Sequence, residues 1–526
     1  MDAHHESLPL RLDRRKPQFP LDARNTMIER LLDVIALTSL LAATVAVGAE
    51  LDPRIGRVEN GLLPIAAKTV GVPDTITDRM RAYGVPGLSV AVIDGGKIAW
   101  ARGYGISDMS SGRPVTTATL FQAASISKPI SAVGVLALVQ RRRLDLDENV
   151  NRELRSWKLA DNEFTRRAPV TIRMLLNHTA GVEHSDANNY VAFSMADRLP
   201  SLLEILRGEP PARAGAVRVM SVPGSAFAYS GAGYEVLQQL VTDVSGTSFE
   251  DYMQTEVLQP IGMAHSTFSQ PLPVSLLPAA ASGHYAGGQG LPGRFRVSPE
   301  LSVAGLWSTP TDIARYVINV QRSYEGVVQG PLNSDMTRQM LTPGSGGRGL
   351  GPAMAGNGQW LRFGHDGFNE GFEASFVGYI PQGKGAVVMA NSGFAFMLIE
   401  EVLDSISRVY GWPDHGETTQ RPPNADFRQQ RVLPVPADML SRSAGQYRLN
   451  DRLVLRIHPR KSRLFLDWPG NGSAEIFATA GGRFFCTPLW LSELGSPWLR
   501  FVTGPNGRVS KIVAGFGESI EMPRTD

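Results

Sequence analysis

Residues 121–130 read Phe-Gln-Ala-Ala-Ser-Ile-Ser-Lys-Pro-Ile, and they place a candidate nucleophile and a candidate base just ahead of an apolar run. The pattern is Ser-x-x-Lys, with Ser125 and Lys128 at its ends, and the run from Ile130 to Val139 predicts a helix. Residues three apart share a helix face, so the lysine amine is expected to reach the serine hydroxyl. A serine hydroxyl needs such a neighbouring base to become a nucleophile. The alternative interpretation is a capped surface helix, because so short a motif also occurs by chance.

The composition is that of a globular protein of several domains, because the 526 residues are 43% hydrophobic and 19% charged. The formal net charge is only +2, which gives no electrostatic reason to expect a nucleic acid partner. The single cysteine, Cys486, excludes an intrachain disulfide and a cysteine-based zinc site. His265 and His284 have no partner at ligand spacing, so neither a metal nor another cofactor is expected.

The first 49 residues predict an export segment rather than part of the fold. Residues 1–26 are polar and aperiodic and are expected to be a disordered extension, with Met27 as an alternative start to Met1. Residues 27–49 predict a signal peptide or membrane anchor, because a weakly apolar run ends in Val-Gly-Ala at residues 47–49, typical of a cleavage site. A secreted or periplasmic location is therefore expected, with an ordinary buried helix as the alternative.

Strand patterns lie near both ends of residues 60–412 and helical patterns lie between them. An Asp-Gly turn at residues 94–95 joins two apolar segments and predicts a β-hairpin. Two further strands are predicted over residues 373–380 and 385–391, followed by a helix over 396–410. The predicted fold class is therefore α+β, an antiparallel sheet covered by helices with an all-helical insertion.

The C-terminal part of the chain predicts a separate domain. Residues 413–436 are polar and proline-rich, which is the composition of a linker. Residues 437–526 contain short alternating runs separated by turns, which predict a small all-β, lipocalin-like barrel or sandwich. Two roles are open for this domain, capping the mouth of an active site and mediating self-association.

Three further motifs follow Ser125–Lys128 in the chain, and together with it they carry a family resemblance. They are Leu-Leu-Asn-His-Thr-Ala-Gly at residues 175–181, Tyr-Ser-Gly at 229–231 and His-Asp-Gly at 365–367. In this order they resemble the serine β-lactamase and penicillin-binding protein superfamily, class C branch, which includes D-aminopeptidases and β-lactamase-like carboxylesterases. The resemblance spans roughly residues 65–410, and it implies a β-lactamase/transpeptidase-like fold and acyl transfer through a serine ester.

The resemblance implies a role for each matching residue. Ser125 would be the nucleophile, and Lys128 and Tyr229 would share the proton transfer. An oxyanion hole would come from the backbone N–H groups of Ser125 and Phe368. His365, Gly367, Ser230 and Gly231 would complete the substrate-binding site, whereas His178 and Thr179 are expected to be structural.

Two departures from the family pattern bear on the substrate. Gly231 stands where class C β-lactamases carry an asparagine that holds a substrate amide, and His365 stands where most relatives carry a lysine. A histidine is mostly neutral at pH 7, so the expected site has lost a fixed positive charge for a substrate carboxylate. These changes favour an uncharged ester or amide over a β-lactam.

The sequence therefore predicts a serine hydrolase that acts on a small-molecule ester, amide or peptide, carboxylesterase-like or D-aminopeptidase-like. A β-lactamase or DD-peptidase is the alternative enzyme. A non-catalytic envelope binding protein, which recognises peptidoglycan through the β domain, is the alternative of another class. Transient membrane or envelope association is expected, and the oligomeric state, the natural substrate and the choice between hydrolysis and transfer to an amine stay open.

Overall fold

The computed structural model describes residues 52–63, 74–185, 193–285, 288–328, 330–393, 395–412, 432–450, 453–468, 472–479, 482, 484–486, 498–505, 507–516 and 518–526. The chain divides into two compact units, residues 1–55 and 56–526, and the account below concerns the second. The predicted disordered extension and signal peptide lie outside the described residues, as does the predicted linker up to residue 431. None of the helices that the structure describes is both long enough and apolar enough to cross a bilayer.

The strands are β1 Gly87–Asp94, β2 Lys97–Asp108, β3 Arg113–Pro114, β4 Phe121–Gln122, β5 Val182–His184, β6 Val217–Val219, β7 Trp307–Ser308, β8 Ala353–Ala355, β9 Arg362–Asn369, β10 Phe372–Tyr379, β11 Lys384–Ala390, β12 Val432–Leu433, β13 Gly445–Asn450, β14 Leu453–Arg460, β15 Arg463–Trp468, β16 Gly472–Thr479, β17 Phe484–Cys486, β18 Trp498–Thr503, β19 Val509–Phe516 and β20 Glu518–Pro523.

The α-helices are α1 Pro53–Glu59, α2 Ile76–Tyr83, α3 Ser127–Gln140, α4 Ile172–Leu176, α5 Leu202–Arg207, α6 Ala232–Ser245, α7 Phe249–Met253, α8 Gln259–Ile261, α9 Leu301–Ala304, α10 Pro310–Tyr324, α11 Ser334–Met340, α12 Phe396–Tyr410 and α13 Ala437–Arg442.

The main sheet is antiparallel throughout and has the strand order β3-β2-β1-β11-β10-β9-β8. The predicted hairpin forms its β1–β2 pair, and Gly95 and Gly96 take left-handed φ angles of 59° and 68° in the turn, which glycine adopts without strain. Strands β10 and β11 are buried along nearly their whole length, because helices α10 and α12 pack against them. The sheet is therefore covered on both faces, as the predicted fold class requires.

The segment inserted between β3 and β8 contains helices α3 to α11. Helix α3 lies at its centre, with nearly every residue buried against α6, α7 and α9. This burial excludes the alternative of a solvated surface helix after Ser125. The insertion is not purely helical as predicted, since β5 pairs with β6 and β4 pairs with β7 in two small sheets.

The C-terminal strands form a barrel rather than a sandwich. Strands β13 to β20 pair with their neighbours in chain order, and a bridge between Tyr447 and Arg524 joins β13 to β20. Strand β12 pairs with β16, so residues 432–433, which fall within the predicted linker, belong to this sheet. The interior is filled by buried apolar side chains, among them Leu455, Ile512 and Met522. These side chains form a hydrophobic core of the barrel that is separate from the core of the main domain.

A buried ion network attaches the barrel to the main domain. The guanidinium of Arg79, on α2, donates to Glu401 on α12 at 2.7 Å and to Glu475 on β16 at 3.0 Å. Arg463 on β15 adds an ion pair with Asp74 at 2.5 Å. Arg79 has no exposed surface, so removal of either carboxylate would leave a buried charge without its full compensation.

Candidate active site

Ser125 lies in a 3₁₀ turn, Ala124–Ile126, that leads directly into α3; we call it the serine turn. Ala124 adopts φ 49°, a left-handed conformation that is rare for a residue with a Cβ atom. Such strain persists only where the surroundings impose it, and it is common beside reactive groups. Ala124 and Ile126 are fully buried, whereas the Ser125 side chain lines a cavity. The serine therefore precedes the helix rather than starting it.

Lys128 and Ser125 are brought together as their spacing predicts. The Lys128 ammonium donates to Ser125 Oγ at 3.0 Å and to the Val303 carbonyl at 3.1 Å. The lysine side chain is 1% exposed, and none of its hydrogen bonds in the described structure goes to a carboxylate. Its amine is therefore held against the serine hydroxyl and is not neutralised by an ion pair.

Tyr229 comes from the loop before α6 and stands beside the same lysine. Lys128 Nζ lies 5.0 Å from the centroid of its ring, and the ring is 43% exposed at the cavity. The hydrogen bonds found among the described residues include none made by the Tyr229 hydroxyl. The His178 ring packs against the tyrosine ring at 4.5 Å between centroids, and the Arg348 guanidinium carbon lies 5.4 Å from its centroid. The three predicted catalytic groups thus share one site.

Strand β9 brings the third motif against the serine turn. A Cβ atom at Gly367 would come closer than 3.0 Å to the Ala123 carbonyl oxygen and within 3.2 Å of Ala124 Cβ, so only glycine fits there. The next residue, Phe368, is 64% exposed and lines the cavity. The glycine therefore lets the two segments that were predicted to form the oxyanion hole lie side by side.

His365 is placed differently from its predicted role. It is buried, it does not line the cavity, and its ring lies 6.1 Å from that of Tyr229. Nδ1 donates to the Asp366 carbonyl at 2.6 Å, which leaves Nε2 as the unprotonated nitrogen. Burial lowers the pKa of His365 well below its usual value, and the charges of Arg348 and Lys128 add to the effect. A neutral histidine behind the tyrosine replaces the predicted substrate contact.

The predicted substrate-binding role is wrong for Ser230, whereas Gly231 lies where that role requires. Ser230 is buried outside the cavity lining, where its hydroxyl donates to the Val182 carbonyl at 2.5 Å and accepts from Gly233 N at 3.0 Å. It thereby satisfies a backbone donor in the first turn of α6. Gly231 lines the cavity, at the position where a family asparagine would project. The absence of a side chain there widens the space beside Ser125.

The cavity next to Ser125 has a volume of about 890 Å³ and is walled by charged side chains. Arg213 is paired with Asp197 at 3.0 Å, and Arg296 with Glu370 at 2.7 Å. The remaining acidic members of the wall are Glu183 and Glu300.

Neither of these two glutamates forms a salt bridge within the described chain. Burial raises the pKa of Glu183, and burial together with the charge of Glu235 raises the pKa of Glu300 to about 7. The nearby charge of His184 opposes both shifts, so the two carboxyl groups lie close to a cation without a direct ion pair to it among the described contacts. No set of three His, Cys, Asp or Glu side chains in the described ranges is placed to bind a metal ion.

Arg348 is a site residue that sequence reasoning missed. It follows three glycines in a loop between α11 and β8, and its Nε and Nη1 atoms are buried without a hydrogen-bond partner in the described structure. Its guanidinium lies between the rings of Phe227 and Tyr229, at 5.8 and 5.4 Å from their centroids. The only sequence signal was a lone cation in a glycine-rich passage ahead of the third motif.

Comparisons with known proteins identify the family of the chain. The family model described as Beta-lactamase matches residues 72–398, more than half of the chain. Penicillin-binding protein 4* of Bacillus subtilis (strain 168) is 24% identical over 466 residues, which cover 83% of this chain and 94% of that protein. Protein flp of Staphylococcus aureus (strain MW2) is 26% identical, and the match covers 60% of this chain and 62% of that protein, less than two thirds of its length.

Solved structures support the same fold. The octameric penicillin-binding protein homologue from Pyrococcus abyssi has a TM-score of 0.56 at 22% identity, covering 85% of this chain and 98% of that chain. SurE with D-Leu has a TM-score of 0.53 at 22% identity, covering 86% of this chain and 97% of that chain. The fold class and the resemblance drawn from the four motifs are confirmed, and the chain belongs to the beta-lactamase family.

Proposed function

We propose that this protein is a serine hydrolase that cleaves an ester or amide bond through a covalent acyl-enzyme on Ser125. The observation that carries the proposal is the 3.0 Å hydrogen bond from Lys128 Nζ to Ser125 Oγ at the wall of a cavity large enough for a small molecule. A serine and a lysine held in contact without a neutralising carboxylate are suited to nucleophilic catalysis.

The proposed reaction has two steps on the same serine. Ser125 Oγ attacks the substrate carbonyl carbon while its proton passes to the phenolate oxygen of Tyr229, because Lys128 already donates to Oγ and its ammonium, 5.0 Å from the ring centroid, stabilises the phenolate. The backbone N–H groups of Ser125 and Phe368 hold the negative oxygen of the tetrahedral intermediate. The leaving group departs with the proton, and water then releases the acyl group.

The residues in and around the cavity favour one class of substrate for this reaction. A neutral His365 and a side-chain-free Gly231 supply neither the fixed cation nor the amide that would hold a β-lactam. Glu183 and Glu300 instead line the cavity with carboxyl groups, and a protonated amine on the acyl group would favour the ionised form of these carboxyls, whose pKa values burial raises. An amine-bearing ester or amide, as an aminopeptidase-like enzyme would use, is therefore favoured over a purely neutral one.

A panel of three chromogenic substrates tests the proposal: p-nitrophenyl butyrate, D-alanine p-nitroanilide and a chromogenic cephalosporin. Each is assayed with the wild-type protein and with Ser125→Ala, and a fluorophosphonate is used to label Ser125 before intact-mass analysis. We expect turnover of the first two substrates, labelling of the wild type and neither in the variant. Fastest turnover of the cephalosporin would instead support the β-lactamase alternative. A folded wild-type protein that is neither labelled nor active would support the envelope binding protein.

A further inference from the structure

We propose that His178 is a positioning residue that fixes the Tyr229 ring beside Lys128; this inference rests on the proposed function of Tyr229. The Ala228 backbone N–H donates to the His178 carbonyl at 2.9 Å, and the Ser230 N–H donates to His178 Nδ1 at 3.1 Å. One residue therefore binds the chain on both sides of the tyrosine. Its ring also lies against the tyrosine ring, with centroids 4.5 Å apart and planes tilted by 34°.

The hydrogen bonds require a neutral imidazole. Nδ1 accepts from a backbone N–H, so the proton of the neutral ring sits on Nε2, and a doubly protonated ring would lose this bond. Burial lowers the pKa of His178 well below its usual value, and the nearby charges of Lys128 and Arg348 act in the same direction. The remaining groups packed on the ring are Tyr234 and Phe227, which carry no charge at neutral pH. The acceptor is thus maintained at neutral pH.

The backbone of His178 is bent so that its ring points toward Tyr229. Its φ angle is 60°, the left-handed region, just after the end of α4. This conformation is disfavoured for a residue with a Cβ atom, so glycine or asparagine would end the helix with less strain. His178 accepts this strain and contacts the tyrosine segment through its carbonyl oxygen, its Nδ1 atom and its ring. These contacts indicate that the side chain, and not the turn, accounts for a histidine at this position.

Loss of the His178 contacts should affect turnover more than substrate binding. Tyr229 is the most exposed of the three proposed catalytic side chains, and its hydroxyl has no hydrogen bond among the described residues to hold it. Without His178 the ring can rotate away from Lys128, and a displacement of about 1 Å at a reacting group typically lowers the rate by about 100-fold. Substrate contacts elsewhere in the cavity are unchanged, so kcat should fall while KM stays nearly constant.

Two variants separate the two contacts of the side chain. His178→Asn tolerates the left-handed φ, and its amide oxygen can still accept from Ser230, but it lacks the stacked ring. His178→Phe keeps a ring against Tyr229 and removes the acceptor. His284→Asn is the matched control, because His284 is equally buried and bonds the Asn391 carbonyl at 2.9 Å with no contact to Tyr229.

The readouts are kcat and KM with the best substrate of the panel, the thermal midpoint, and the rate at which tetranitromethane nitrates Tyr229, with Tyr324 as internal reference. We expect both His178 variants to lose about 10- to 100-fold in kcat at nearly constant KM, to nitrate faster at Tyr229 and to stay folded. His284→Asn should keep kcat even if its thermal midpoint falls. Wild-type kcat and nitration in both folded His178 variants would overturn the inference. Faster nitration in a protein that hydrolyses no substrate would support the positioning contact and refute the proposed function alone.

Discussion

Replacing Gly367 with alanine tests whether the close approach of strand β9 to the serine turn holds the site together. The added Cβ would lie closer than 3.0 Å to the Ala123 carbonyl oxygen, whereas ordinary van der Waals contact begins at 3.4 Å. The strand and the turn must therefore separate by at least 0.4 Å, the difference between those two distances. The obstacle is backbone, so a side-chain rotation cannot relieve it.

That displacement falls on both groups of the proposed oxyanion hole, because Phe368 follows Gly367 and Ser125 follows Ala124. Reacting groups have to be held within about 0.5 Å of their productive geometry, so we expect kcat/KM to fall about 10- to 100-fold. Overpacking of this kind costs about 1–3 kcal/mol, so the thermal midpoint should fall by a few degrees at most. The loss of activity should therefore exceed what the loss of folded protein explains.

The assay measures kcat/KM with p-nitrophenyl butyrate and the rate of fluorophosphonate labelling, on protein whose folding is checked by circular dichroism. Gly233→Ala is the matched control, because the nearest atom to its added Cβ is 3.5 Å away and the residue lies in the first turn of α6. Alanine is the better helix former there, so the control should keep full activity and gain slightly in stability. A Gly367→Ala protein that is labelled at the wild-type rate would refute the reasoning.

Three further predictions follow from the same contacts. Lys128→Gln should abolish labelling of Ser125 while the protein stays folded, since the serine loses the amine that is held against its hydroxyl and beside Tyr229. Mass spectrometry checks this, and labelling at the wild-type rate would contradict it. Burial alone would lower the pKa of His184, but Glu235 outweighs burial and raises it from 6.5 to about 9. The stabilisation is therefore complete below pH 6.5 and lost as the pH rises through 9, so urea midpoints should fall over that range in the wild type and not in Glu235→Gln. Glu475→Gln removes the carboxylate that pairs with buried Arg79, and it should cost about 3–5 kcal/mol in the free energy of unfolding. Arg81→Ala breaks an exposed ion pair on α2, the helix of Arg79, and should change little in the same urea titration.

Local sequence patterns were sufficient to predict several helices and strands of the main domain. The Asp94-Gly95 turn predicted the hairpin, and helix α12 spans the predicted residues 396–410. Thr171 and Thr309 cap α4 and α10 with their side chains. These features depend on neighbours within a few residues, which the chain order itself supplies.

Contacts between segments that lie far apart in the sequence could not be predicted from local patterns. Closure of the barrel rests on the contact of Tyr447 with Arg524, and no local pattern fixes which strands meet. The burial of His365 follows from how β9 is oriented against the serine turn, and sequence spacing says nothing about that orientation. Arg348 likewise reaches Tyr229 only because the loop before β8 folds across the loop before α6.

The placement of the barrel limits what it can do for catalysis. Every described residue that lines the cavity lies between Ser125 and Glu370, so the described barrel supplies no part of the wall. Its buried attachment runs through Arg79 and Glu401, on helices that pack beside the sheet and not at the serine turn. A capping role at the mouth therefore has no support among the described residues. The described contacts join the barrel to the main domain through Arg79 and Asp74, so loss of the Glu475 contact should lower the urea midpoint while leaving KM unchanged.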